Sequence, residues 1–247
     1  MLKENLLKTA EVIFAKYHLA GDPHDFMGEL EADKEFLGAI EAKIAPVPEF
    51  MTKRFESILQ LGAAFKTVQY LLLRATAPLR VVETGVLHGL SSAFLLNALD
   101  RNQRGELISI DLPADPAWAD RAVSESGYVD SDDLPLGHGP GWAVPDALRK
   151  RWSLQLGAAR QLLPEILAVS PCDYFVHDSE HTYEHMSFEL DLAWNHLAGG
   201  TFIVCDNIDW CEAFADFCRF RKVDPVLVSG DGIEDPVNAR FGIVCKP

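Results

Sequence analysis

Apolar residues at the start of the chain recur at helical spacing. Leu2, Leu6, Leu7, Ala10, Ile13, Phe14 and Tyr17 fall every three to four positions along one face. The pattern predicts a first helix that Gly21-Asp22-Pro23 stops, a second over Met27–Lys43 and, past Pro46 and Pro48, a third over Glu49–Arg74. After Ala77-Pro78 the texture changes. Short β-branched or apolar runs at Leu79–Glu83, Leu107–Asp111, Trp152–Leu156, Cys172–His177 and Thr201–Cys205 alternate with helical stretches near 90–100, 146–150, 159–168, 182–197 and 211–220. Two final strands, Pro225–Ser229 and Arg240–Cys245, are separated by a polar loop without helical pattern. This alternation predicts an α/β fold: a doubly wound, Rossmann-like, mostly parallel sheet of seven strands with an antiparallel hairpin at one edge. Residues 1–75 read as an N-terminal helical extension or cap, and residues 76–247 as the Rossmann-like domain. The stretch 112–145, rich in Pro, Gly and Asp, is a loop long enough to carry function.

Composition narrows the partners. The chain is 48% hydrophobic over 247 residues, enough for a packed core, and its 37 acidic against 22 basic residues give a net charge of −15. Such a field repels nucleic-acid backbones and anionic membranes. The one dense basic segment, Arg149-Lys150-Arg151, reads as a solvated helix end. No apolar run approaches the roughly 18 residues of a membrane span, and the N-terminus is broken by Lys3, Glu4, Lys8, Glu11 and Lys16, unlike a signal peptide. The cysteines at 172, 205, 211, 218 and 245 lack short paired spacing, so a reduced, cytoplasmic protein with buried thiols is expected.

Polar residues cluster where strands end. In Val81-Val82-Glu83-Thr84-Gly85-Val86-Leu87-His88-Gly89-Leu90-Ser91-Ser92 a strand enters a glycine turn and a helix leaves it. Gly85 allows the sharp bend, Gly89 a close ligand approach, and the helix start at Ser91 suits ligand binding. The Glu-x-Gly-x-x-x-Gly spacing lacks the second glycine of a dinucleotide fingerprint, which argues against a nicotinamide or flavin enzyme. Asp111 ends the next strand, where doubly wound folds place an acid for ribose hydroxyls. Asp178 in VHDSEH and Asp206-Asn207 in IVCDN end two later strands. If neighbours, they form an all-oxygen site suited to Mg²⁺. Either acid alone could equally cap the helix that follows. His181 is placed to act as general base, or else is an exposed histidine at a helix start. His177, His181 and His185 do not make a His-Glu-x-x-His zinc motif; His185 and His196 are expected on the surface. No Gly-x-Ser-x-Gly supports a hydrolase.

Residues 79–247 resemble the class I S-adenosylmethionine-dependent methyltransferases, on VVETGVLHGLSS, LISIDLP and LAGGTFIVCDN. The stretches GPGWAVPDALRKRWSLQLGAARQLLPEIL and FVHDSEHTYEHMSFELDLAW are similar to the methyltransferase domain 24 type. The resemblance implies S-adenosyl-L-methionine held by Glu83, Gly85, Gly89, Ser91 and Asp111, with Gly157 and Ala158 touching the adenine. Asp178, Asp206 and Asn207 also look like the metal triad of catechol O-methyltransferase, whose lysine base is replaced here by His181. The implied reaction is metal-assisted O-methylation of a small-molecule hydroxyl. The 112–145 loop, with Trp118, Tyr128 and Trp142, and the N-terminal helices would cover the pocket, and those helices offer a face for a second copy of the chain. A metal-independent methyltransferase and a catalytically inactive nucleotide-binding module are the alternatives.

Overall fold

In the computed structural model, which describes residues 2–47, 64–113, 134–135, 137–229 and 239–247, aspartates cap the second and third helices. Helix α1 spans Leu2–Tyr17, α2 Pro23–Ala32, α3 Lys34–Ile44 and α4 Ala64–Thr76. Asp22 caps α2, its carboxylate accepting from the His24 amide at 2.8 Å, with Pro23 in the first turn. The single helix expected over Met27–Lys43 is two helices. Asp33 ends α2, and its carboxylate accepts from the Phe36 amide at 3.1 Å to start α3. Both helices bury the same side through Met27, Leu30, Phe36, Ile40 and Ile44, so the apolar period runs through the break. Residues 49–63 of the third expected helix lie outside the described residues.

The remaining elements are β1 (Arg80–Thr84), α5 (Leu90–Arg101), β2 (Glu106–Asp111), a 3₁₀ turn (Asp146–Arg151), β3 (Trp152–Leu156), α6 (Ala159–Val169), β4 (Cys172–His177), α7 (Tyr183–His196), β5 (Leu197–Cys205), α8 (Ala213–Arg221), β6 (Val226–Ser229) and β7 (Ala239–Cys245). They form one 7-stranded sheet in the order β3-β2-β1-β4-β5-β7-β6. The first five strands are parallel, whereas β7 runs antiparallel to both β5 and β6. The Rossmann-like α/β architecture read from the sequence is therefore present, with the last strand inserted between β5 and β6. Strand β5 begins earlier than expected because Leu197 pairs with Cys172, and a register irregularity before Tyr174↔Phe202 absorbs Gly199-Gly200. The order reverses between β1 and β4, which places a ligand crevice above the C-terminal ends of these strands.

Alternation along the strands divides the interior in two. Val81, Tyr174, Val176, Phe202 and Val204 face α1–α5, while Val82, Phe175, Ile203 and Val244 face α6–α8. Each large apolar side chain buried this way contributes about 1.5–3 kcal/mol. The N-terminal helices share the first core. Tyr17 donates to the Ile243 carbonyl at 2.9 Å and packs edge-on against Phe202. Glu29 holds Arg74 through both carboxylate oxygens at 2.8 and 2.9 Å and accepts from Tyr70, while Asp33 pairs with Arg101 at 2.6 Å. The basic triplet is less solvated than expected: Lys150 and Arg151 pair with Asp100, and Arg149 stacks on Trp152. All five cysteines are free thiols, and burial pushes Cys172 and Cys218 up to about 12. Among the described residues no helix is long and apolar enough to cross a membrane.

Candidate active site

Main-chain hydrogen bonds continue one residue beyond the strands and align their ends. Gly157 N donates to Asp111 O at 2.8 Å, Gly85 N to Ile110 O at 2.9 Å, Asp178 N to Thr84 O at 2.9 Å and Asp206 N to His177 O at 2.9 Å. This staircase brings Asp111, Gly85, Asp178 and Asp206 along one edge. Gly85 is required there. Its φ is +83°, and a Cβ on it would lie 1.9 Å from the Asp178 carbonyl oxygen.

Gly89 serves a different purpose from the one expected. At φ +82° it precedes α5, but a Cβ there would meet Gly141 Cα and Val144 Cγ2 at 2.7 Å. On the Cβ side it is protein that makes the close approach. Gly141 N donates to Leu87 O at 2.8 Å, Ala143 N to His88 O at 3.0 Å and Trp142 Nε1 to His88 Nδ1 at 3.0 Å. Trp142 is buried in this contact; Trp118 and Tyr128 lie outside the described residues.

The acids of the cofactor half are bound within the protein. Glu83 is fully buried beneath the turn, with Ser92 and Ser109 hydroxyls both donating to Oε2 at 2.7 Å and Oε1 without a partner. Burial pushes its carboxyl up to about 7, against the pull of the two serines and helped by the Asp111 charge. Half-buried Asp111 accepts from the Val86 and Leu87 amides at 3.0 and 2.7 Å through Oδ2, and from Leu112 N at 2.7 Å through Oδ1, so it shapes the turn directly. Ser91 and Ala158 are half-buried and Gly157 is buried.

Asp178 and Asp206 lie within hydrogen-bonding reach of each other. Burial, then the charges of Asp206 and Glu83, hold Asp178 well above the carboxylate range; burial also raises Asp206 to about 6. The Asn207 amide places one atom 3.0 Å from Asp206 Oδ2 and the other 3.3 Å from Trp210 Nε1. With nitrogen toward Asp206, both contacts are hydrogen bonds. With oxygen toward Asp206, the amide oxygen faces a carboxyl oxygen, an arrangement that a cation or a carboxyl proton between them would reconcile. His181 Nε2 lies 3.9 Å from Asp178 Oδ1, between the edges of the His177 and Trp210 rings. Burial, with the neighbouring His177, lowers His181 to about 4, so it is unprotonated at neutral pH. Trp210, 57% exposed, extends the wall beside it. Among the described residues no three His, Cys, Asp or Glu side chains are grouped so as to hold a metal.

Below this corner is a cluster that sequence reasoning missed. Glu189 on α7 is fully buried and accepts from Thr84 Oγ1 at 2.5 Å and His177 Nδ1 at 2.6 Å on Oε2, and from His185 Nε2 at 2.8 Å and Ser179 Oγ at 3.1 Å on Oε1. Burial works to raise its carboxyl, but the two histidines hold it far below the usual range. His185, expected on the surface, is buried; burial works to lower its pKa, and the Glu189 hydrogen bond raises it above the ordinary value. His196 is half-buried, with Nδ1 2.9 Å from Leu192 O. The available sequence signal was polar residues at 185 and 189 on the same stripe as Met186, Leu190 and Ala193.

Known structures share this architecture. CalS11, a calicheamicin methyltransferase, matches with TM-score 0.55 at 16% identity, covering 86% of this chain and 92% of that one. Cofactor-bound Rv0187 from MTB matches with TM-score 0.52 at 18% identity over 92% and 98%. The O-methyltransferase from Bacillus cereus in complex with SAH matches with TM-score 0.50 at 16% identity over 100% of both chains. At these identities the likeness is one of fold. No curated protein matches the chain. A family described as a methyltransferase domain matches residues 82–208, from β1 through Asp206-Asn207, just over half the chain. By that match the chain belongs to the Methyltransf_24 methyltransferase-domain family.

Proposed function

We propose that this protein is an S-adenosylmethionine-dependent O-methyltransferase acting on a hydroxyl of a small-molecule acceptor, with a divalent cation, Mg²⁺ by its oxygen ligands, at Asp178, Asp206 and Asn207. The observation that carries the reading is the crowding of carboxyls at one strand edge. Glu83, Asp111 and Asp206 each raise Asp178, and no lysine or arginine among the described residues pairs with Glu83, Asp178 or Asp206. A strand edge so rich in carboxyls suits a cationic ligand. The neighbouring folds solved with SAH or a cofactor, and the family itself, support the choice of that ligand.

S-adenosylmethionine supplies a methyl group on a sulfonium for in-line transfer to an oxygen nucleophile. A divalent cation, when bound, supplies charge that lowers the pKa of an acceptor hydroxyl. The protein's share is binding, positioning and proton transfer. Asp111, which accepts from the Val86, Leu87 and Leu112 amides, would hold the ribose hydroxyls. Ser91, Gly157 and Ala158 would line the cofactor, whereas Glu83 acts from beneath the turn. His181, unprotonated at neutral pH, can accept the acceptor's proton, and the buried Glu189 charge favours the resulting imidazolium. Trp210 offers a flat apolar wall to the acceptor. The five free thiols fit a reducing compartment such as the cytoplasm.

Asn207 supports a second, metal-free reading when its nitrogen faces Asp206. Methyl transfer from labelled S-adenosylmethionine to a panel of phenols, catechols, sugars and polyketides, with Mg²⁺ or with chelator, separates the two. The metal reading expects Asp206→Ala to lose on the order of 100-fold in activity while keeping S-adenosylhomocysteine binding. Full activity in chelator would move the assignment to the metal-free reading.

A further inference from the structure

Glu189 does not reach the crevice, yet every group it holds borders the proposed chemistry. Thr84 ends β1, His177 ends β4, Ser179 follows Asp178, and His185 lies in the first turn of α7. We propose that Glu189 is the positioning residue of the site, fixing the main chain on both sides of Asp178 and, through the His177 ring, the orientation of His181. The proposal rests on the methyl-transfer reading only for what Asp178 and His181 do.

A carboxylate has room for about four donors, and here two hydroxyls and two imidazoles fill it. Asp178 is bracketed: its neighbours 177 and 179 both end on Glu189, and its own amide is bonded to Thr84 O. The 177–179 corner cannot rotate without breaking a buried, charge-assisted hydrogen bond. An ionised carboxylate only accepts, so His177 must carry its proton on Nδ1. That leaves Nε2 buried and without a partner. This fixed ring lies edge-to-face with His181 at 5.3 Å. For stability alone an apolar cluster would serve as well as a buried ionic one, so conformational specificity is the physical advantage of this arrangement.

The test uses Glu189→Gln and Glu189→Asp in the full chain. Imidazole ¹⁵N NMR reads the His177 tautomer without any acceptor, calorimetry reads S-adenosylhomocysteine affinity, and steady-state methyl transfer over the same panel reads kcat and KM. The wild type should show His177 protonated on Nδ1. Glu189→Gln should lose that preference, keep cofactor affinity within about 3-fold and lose kcat on the order of 100-fold with KM for S-adenosylmethionine unchanged. Glu189→Asp should restore part of both and keeps the test open if the Gln variant does not fold. An unchanged tautomer, an unchanged kcat, or a parallel collapse of affinity and kcat would overturn the proposal. Failure of the wild type to bind S-adenosylhomocysteine would instead sink the methyl-transfer reading and leave the tautomer result to judge Glu189.

Discussion

Two glutamates, Glu83 and Glu189, lie on opposite faces of the same sheet edge, both with no exposure to solvent. Glu83 receives two serine hydroxyls on one oxygen and nothing on the other, and its pKa rises to about 7. Glu189 receives four donors, two of them imidazoles, and stays charged. Burial is common to both, so partners decide the charge state. On the Glu83 side the protein keeps an acid poised near neutrality under the ligand turn. On the Glu189 side it invests a full charge in holding a corner still.

That contrast can be broken from either side. The largest effect is expected from Glu189→Ala, which strands three buried donors and the part-buried Ser179 and should cost roughly 3–5 kcal/mol in urea unfolding at pH 7. A cost below about 1 kcal/mol would mean that the cluster does not hold a charge. Glu83 should act through pH. Its folded pKa of about 7 exceeds the ordinary 4.5, so the folded state binds more protons across that window, and stability falls as pH rises from 4.5 to 7. Glu83→Gln should abolish this slope, worth about 3 kcal/mol between the two ends. The Glu189 contribution has the opposite sign: it is present above the unfolded carboxylate pKa and lost as pH falls toward the lower folded one.

Lys66 extends the comparison to a cation whose partner is an aromatic ring, Phe94, 5.4 Å from its ammonium. It is 3% exposed, its Nζ has no hydrogen-bond partner, and burial lowers it from 10.5 to about 7. Here the unfolded chain binds more protons, so stability rises with pH between those values. Lys66→Met should stabilise by about 1–2 kcal/mol at pH 7 and flatten that rise in thermal unfolding.

The alternation of strands and helices was legible because each strand end is marked by Gly, Asp or Asn at a turn. Gly85, Asp111, Asp178 and Asp206 could all be placed on one edge from that alone. What stayed hidden depends on contacts distant in sequence. Gly89 packs against Gly141 and Val144, and Glu189 bonds Thr84, more than a hundred residues away. Asp33 broke a helix whose apolar stripe gave no sign of the break, since both halves bury the same face. His185 looked like a surface residue because polarity was read singly, whereas its position beside Met186 and before Glu189 marks a buried stripe.

The central claim is that the crevice above β1, β2 and β4 binds the methyl donor. Calorimetric titration of the purified chain with S-adenosylhomocysteine tests it most directly. The account predicts saturable one-to-one binding, weakened about 10-fold or more by Asp111→Ala, which removes both the ribose acceptor and the clamp on the Val86 and Leu87 amides. Absence of binding to the wild type, with Mg²⁺ present or omitted, would contradict it.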